Sequence, residues 1–154
     1  MLEIIEKKEE TINRLSKTTG LSDINAKQVA YAEALDITII VYENCNLDLL
    51  KNNQIINISD IKRKEISGLK LINNITVKDT IAYLSSSLGL ILVDLKNTEI
   101  KDVYKVDGSD ENAAINGCAF LGDSIIVSTD DGLYFANVND PNLSDFNRWS
   151  LYHN

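Results

Sequence analysis

The sequence predicts an all-β fold, a run of four-stranded β-propeller blades, and three observations carry that expectation. Short apolar segments recur every 43 residues, with Asn46, Gly89 and Gly132 opening successive copies. Those segments alternate at period two and are built from Val, Ile, Leu, Tyr and Phe, which suits strands rather than repeat helices. Each follows a polar run in which Asn, Asp, Ser and Gly supply the backbone freedom a tight hairpin needs. Four short strands per 40 to 50 residues, roughly, is the pattern of a propeller blade.

The elements follow in order. Leu2–Ile5 and Glu10–Leu15 read as the third and fourth strands of a first, incomplete blade, although residues 4–15 also have a weakly helical pattern. First strands are expected at Gln28–Ala32, Ile75–Lys78 and Gly117–Leu121, and second strands at Ile39–Val41, Ala82–Leu84 and Ile125–Val127. The repeated segments Asn46–Leu50, Gly89–Val93 and Gly132–Ala136 are third strands. Fourth strands are Gln54–Ile58, Glu99–Tyr104 and the stretch Asn147–Tyr152. The first turn ends in Cys45-Asn46 where later copies end in Gly, so Asn46 is expected to take the left-handed position there.

The chain is thus expected to be one partial propeller domain over residues 1–154, a half blade over 1–22 and blades over about 23–66, 67–110 and 111–154. Three and a half blades fall short of a ring, because propellers use about four to eight. That predicts either a piece of a longer protein or two copies that together complete a seven-bladed ring.

Composition narrows function. The 15 Lys and Arg against 23 Asp and Glu give a net charge of −8, which repels a phosphate backbone and argues against nucleic acid. No stretch approaches the ~20 apolar residues a membrane span needs. The N-terminus lacks the basic and apolar regions of an export signal. Cys45 and Cys118 do not make a disulfide framework. Cys118 alternates with apolar neighbours and reads as core, whereas Cys45 lies in a turn.

No catalytic pattern emerges. The only histidine, His153, is the penultimate residue, so a Ser-His-Asp or Cys-His arrangement lacks a base. Neither a phosphate-binding glycine motif nor zinc-ligand spacing occurs, and Asp130 and Asp131 are too close in sequence to be the carboxylate pair of a polysaccharide-active enzyme. The reading is a binding or scaffolding module, not an enzyme, with no cofactor and no metal.

In a propeller, the loops from second to third strand and from one blade to the next emerge on one face. That face carries the candidate binding residues Glu43, Asn44, Ser86, Ser87, Asp130 and Asp131, with Asp107 and Asp110 from an inter-blade loop. Most of these are expected to be solvated turn residues. Asp107-Gly108-Ser109-Asp110-Glu111-Asn112 offers oxygen ligands at close spacing but lacks the glycine and distal glutamate of a calcium loop. Lys62-Arg63-Lys64, followed by Glu65, could meet a phosphate or sugar acid, and as three adjacent charges reads first as solvated loop. Trp149, Phe146 and Tyr152 are either an aromatic platform or a cover for the last blade.

Several runs resemble the N-terminal β-propeller of PorZ-type proteins: Ile12–Asp23, which contains Gly20-Leu21-Ser22-Asp23; Ile56–Lys62; Ala82–Ser85 with Gly89–Leu95; and Asn142–Trp149. The resemblance implies an accessory component of the type IX secretion system of Bacteroidetes, at the cell envelope, linked to delivery of anionic lipopolysaccharide. It implies protein partners and a polysaccharide, and a parent several times longer. Related propellers in the periplasmic regions of hybrid two-component regulators suggest ligand sensing as the alternative.

Overall fold

The computed structural model describes residues 2–6, 11–109 and 114–152. Fourteen strands form among them. β1 (Leu2–Glu6) and β2 (Thr11–Leu15) make a two-stranded hairpin. The first complete sheet contains β3 (Ala26–Ala32), β4 (Ile37–Tyr42), β5 (Leu47–Lys51) and β6 (Gln54–Ile58). The second contains β7 (Ile72–Lys78), β8 (Ile81–Ser86), β9 (Gly89–Asp94) and β10 (Glu99–Tyr104). The third contains β11 (Gly117–Leu121), β12 (Ser124–Thr129), β13 (Gly132–Asn137) and β14 (Ser150–Leu151). Every pairing is antiparallel and sequential, as a propeller blade requires.

The first strands of neighbouring sheets lie side by side, β3 beside β7 and β7 beside β11. Side chains hook them together: Gln28 Nε2 donates to the Ile72 carbonyl at 3.0 Å, Asn73 Nδ2 to Ile115 at 2.9 Å and Thr76 Oγ1 to Cys118 at 2.8 Å. Behind these hooks the sheets stack face to face. Ile39, Val41, Leu47 and Leu49 meet Ala82, Leu84, Ile91 and Val93 in one buried core. Tyr83, Leu90 and Leu92 meet Cys118, Ile125, Val127 and Ala136 in a second. A third, smaller cluster of Leu21, Ile40 and Tyr42 packs with Leu15 of β2 and Ile55 of β6. The neighbour on β6 places β2 at the outer side of the first sheet, where a fourth strand belongs.

The repeat holds, with one adjustment. β9 and β13 are spaced by 43, as are β8 and β12, but β4 leads β8 by 44. The extra residue sits in the first turn, where Val41 pairs with Leu47 and Tyr42 bonds to the Asn46 carbonyl across a three-residue loop. Cys45, not Asn46, takes the left-handed conformation there, at φ 64. Gly89 and Gly132, each the first residue after a two-residue loop, occupy positive φ in the later copies, a conformation glycine adopts without a Cβ penalty.

The third copy departs from expectation at its end. Instead of a strand over Asn147–Tyr152, Phe146–Arg148 form a 3-10 turn and only Ser150 and Leu151 pair with β13. Asp145 caps that turn by accepting from the Asn147 amide at 3.0 Å. The cap turns Trp149 inward, where its indole N–H donates to the Leu143 carbonyl at 2.9 Å and the ring is buried. Another unforeseen element is a single α-helical turn, α1 (Asp60–Arg63), between the first and second sheets. Lys70 fastens its end by donating to the carbonyls of Ile61, Lys62 and Lys64 at 2.8, 2.7 and 2.6 Å.

One core position is imperfect. Ser85 on β8 is fully buried and its hydroxyl has no partner. An unmade hydrogen bond of this kind costs about 1–3 kcal/mol. Ser85→Ala is therefore expected to raise the melting temperature by a few degrees; a lower melting temperature in a thermal scan would refute it.

Candidate functional site

The turns between second and third strands sit against the linkers that lead into first strands, so both emerge on one face. The Glu43 amide bonds the Asn25 carbonyl at 3.0 Å, Ser87 bonds Leu71 at 2.9 Å and Asn116 bonds Ser128 at 2.8 Å. All the candidate residues except Asp110 fall among the described ones. Glu43 and Asn44 are exposed on the first turn, and Asp130 and Asp131 on the third. Asp130 accepts from Asn116 Nδ2 at 2.9 Å.

Ser86 and Ser87 turn inward. Ser86 is buried, donating to the Gly89 carbonyl at 2.7 Å and accepting from the Leu88 amide at 3.1 Å. Ser87 accepts from the Leu71 amide at 3.0 Å. Both hydroxyls complete a turn rather than face a ligand. Asp107 is half-buried and accepts from the Ser109 amide at 2.9 Å. Asp110, Glu111 and Asn112, and likewise His153, lie outside the described residues. Among the described residues no group of three or more His, Cys, Asp or Glu side chains is placed to hold a metal ion.

The most ordered chemistry on this face centres on two carboxylates, Asp23 and Asp48, that the sequence did not single out as site residues. Asp23, which ends the run Gly20-Leu21-Ser22-Asp23, is buried and accepts from Lys62 Nζ at 2.6 Å, Asn44 Nδ2 at 2.6 Å and Asn46 Nδ2 at 3.4 Å. Its other oxygen accepts from the Ile24 amide at 3.0 Å. Beneath it, Asp48 is fully buried. One of its oxygens takes the Tyr42 hydroxyl at 2.6 Å and the Ser22 amide at 2.8 Å; the other takes Asn57 Nδ2 at 3.0 Å. Asn57 also donates to Asn46 Oδ1 at 3.0 Å and thereby joins the two carboxylates' partners. The expected basic trio is split: Lys62 serves Asp23, Arg63 pairs with Asp60 at 3.5 Å, and Lys64 is exposed.

Hydrogen bonding from Lys62, then from Asn44, holds the Asp23 carboxyl far below the usual carboxylate range. Burial first, and the bond to Asp48 second, push the Tyr42 phenol well up. Burial alone pushes the Cys118 thiol up to about 12, and burial also raises Cys45, so both free cysteines are protonated and poorly reactive at neutral pH. A depressed carboxyl pKa adds stability that is present above about pH 4 and is lost as pH falls toward the folded value. The stability difference between the protein and Lys62→Met is accordingly expected to be largest near neutrality and to shrink below about pH 4. Urea titrations at pH 7 and pH 2.5 test this; a gap that widens in acid would contradict it.

Two concavities adjoin the network. A cleft of about 250 Å³ lies over Asp23, Ile24, Asn25, Glu43 and Asn44. A groove of about 1050 Å³ runs between α1 and the outer strands of the second sheet, floored by Ile61, Leu88, Ile91, Ile100 and Val103 and rimmed by Lys64, Lys105, Asp60 and Glu99. No helix among the described residues is long and apolar enough to cross a membrane.

Stacked four-stranded sheets with first strands at the centre define a partial β-propeller whose ordered polar face is held by internal hydrogen bonds. The chain belongs to the family of type IX secretion PorZ N-terminal β-propeller domains, which matches residues 1–150. In fold it is similar to PorZ, an essential surface component of the type IX secretion system of Porphyromonas gingivalis: TM-score 0.81, 22% identity, 96% of this chain covered. It is also similar to an extracellular domain attributed to the hybrid two-component system BT3049 of B. thetaiotaomicron, with TM-score 0.62, 12% identity and 92% coverage. The chain spans about one fifth of each of those chains, 19% and 20%. No curated protein matches it in sequence.

Proposed function

We propose that this chain is a non-catalytic binding and scaffolding segment of the type IX secretion machinery at the cell envelope, linked to delivery of anionic lipopolysaccharide. Membership of the PorZ N-terminal family across residues 1–150 is the observation that carries the reading. The chemistry of the ordered face is consistent with it. Asp23 and Asp48 are saturated with hydrogen-bond donors, so they brace loops rather than transfer protons. The groove between α1 and the outer strands of the second sheet joins an apolar floor to a rim of mixed charge, Lys64 and Lys105 with Asp60 and Glu99, a combination of the kind that takes a polar head on an apolar body.

Isothermal titration with purified anionic lipopolysaccharide tests the reading, using the protein and a Lys64→Glu variant. Binding weakened about tenfold in the variant supports it; no heat at 100-fold excess of ligand over about micromolar protein removes the lipopolysaccharide role. The fold shared with the BT3049 extracellular domain favours a second reading, a ligand-sensing periplasmic propeller. A shift in melting temperature with small oligosaccharides, and none with lipopolysaccharide, would favour that alternative.

A further inference from the structure

We propose that the groove between α1 and the second sheet is a docking site for a loop of a partner protein that inserts an aromatic side chain, tryptophan by preference, beside an aliphatic one. The groove lies on the face of the second sheet that looks toward the first, the face that carries Ile91, Ile100 and Val103. Leu69 on its rim is 74% exposed. At about 1050 Å³ the hollow is far larger than a packing gap between side chains and has the size of a ligand pocket.

The equivalent gap, one sheet further along the chain, shows what fits. Strand register puts Tyr134 and Leu151 of the third sheet at the places of Ile91 and Val103, and one further pair puts Trp149 at the place of Ile100. There the protein fills the gap itself. Residues 138–149, between β13 and β14, cross it and bring in Leu143 and Trp149, which are 4% and 6% exposed in the core between the second and third sheets. The Trp149 ring stands 6.2 Å from that of Tyr104. Phe146 lies over Gly108 of the following linker, so closely that a Cβ there would come within 2.9 Å of the ring. The segment meets its own polar needs, since the indole donates to the Leu143 carbonyl and Asp145 caps the turn. It asks only apolar contact of the wall it covers.

Between the first and second sheets that filling is missing. Residues 95–98, between β9 and β10, form a tight turn held by Asp94, which accepts from the Lys96 and Asn97 amides at 2.9 and 3.0 Å, and they do not cross the gap. Isoleucine stands where the third sheet has Tyr134 and Trp149, so the wall is lower as well as uncovered. A loop built like residues 138–149, supplied by another protein, matches the vacant floor, and large aromatic side chains seated in such hollows dominate protein interfaces. The rim suits a polypeptide too: Asp60 and Glu99 with Lys64 and Lys105 present both signs, as a main chain and its side chains do. This assignment rests on the scaffolding half of the proposed function and makes the partner loop and the lipopolysaccharide rivals for one floor.

Panning a phage-displayed library of random disulfide-closed loops on the immobilised protein tests this. Captured loops are expected to be enriched in tryptophan with leucine or isoleucine nearby. Leu69→Glu, at an exposed rim position, is expected to weaken their binding about tenfold while moving the melting temperature by no more than about 2 °C. Ile100→Trp places in the groove the side chain that the third sheet uses, and is expected to abolish capture and raise the melting temperature by about 2–4 °C. A library that yields no such loops, loops that bind both variants as well as the unaltered protein, or an Ile100→Trp protein that melts below it overturns the proposal. So does a failure of capture in which the same two substitutions weaken lipopolysaccharide binding, since the occupant is then the lipid. Capture is read with no lipopolysaccharide present, so this proposal and the lipopolysaccharide role fail separately.

Discussion

Replacing Asp48 with alanine is expected to destabilise the protein by about 2–5 kcal/mol, because it leaves two buried donors without their acceptor. The carboxylate has no exposure to water. Its loss leaves the Tyr42 hydroxyl and the Ser22 amide without the partners they hold at 2.6 and 2.8 Å. Asn57 fares better, since it keeps the Leu47 carbonyl at 2.9 Å and Asn46 Oδ1 at 3.0 Å. Each orphaned donor costs about 1–3 kcal/mol, and water cannot reach Tyr42, which is 1% exposed. A melting temperature about 10 °C lower is the expected readout for a chain of this size. In a Tyr42→Phe background the same substitution should cost less, because one orphan has already been removed. A single-mutant loss below about 1 kcal/mol would mean that the network is not stabilising.

Asp48 also marks the limit of what could be read without coordinates. The blades were legible because strand pairing here is local: hairpin partners lie within a few residues, and period-two alternation reports directly which side faces a neighbouring sheet. Within Leu47-Asp48-Leu49-Leu50, a carboxylate occupies the place taken by Ile91 and Tyr134 in the later copies. That exception was visible as a pattern break. Its partners were not, because Ser22 is 26 residues away and Asp23, on the same face, meets Lys62 from 39 residues away. Contacts between a linker, a turn and the next linker depend on how successive sheets stack, and no periodicity encodes that.

The same reasoning explains the uneven fate of the candidate face. Glu43 and Asp130 are exposed on turns whose position follows from the topology. Ser86 was assigned outward because its turn is outward, yet its hydroxyl reaches back to the Gly89 carbonyl, a local competition that sequence spacing cannot decide. At the chain's end, the repeat suggested a strand over Asn147–Tyr152. The Asp145 cap and the buried Trp149 indole bond instead favour a turn that leaves only two paired residues.

Gly89→Ala is expected to be the second severe substitution, at about 3–5 kcal/mol, as the sum of left-handed strain and overpacking. Gly89 sits at φ 118, and a Cβ there would lie 2.6 Å from the backbone carbonyl oxygen of Tyr104. That oxygen cannot yield, because Tyr104 is the last residue of β10 and is paired directly with Leu90. Gly132 is the repeat equivalent at φ 141, but its added Cβ would meet only the tip of the Leu151 side chain at 3.2 Å. A leucine methyl can rotate away, so Gly132→Ala should cost about 1–2 kcal/mol, mainly from backbone strain. The contrast makes the test specific. Strain alone predicts similar losses at the two glycines, whereas a close approach of β9 to β10 predicts that Gly89→Ala melts well below Gly132→Ala in matched thermal scans.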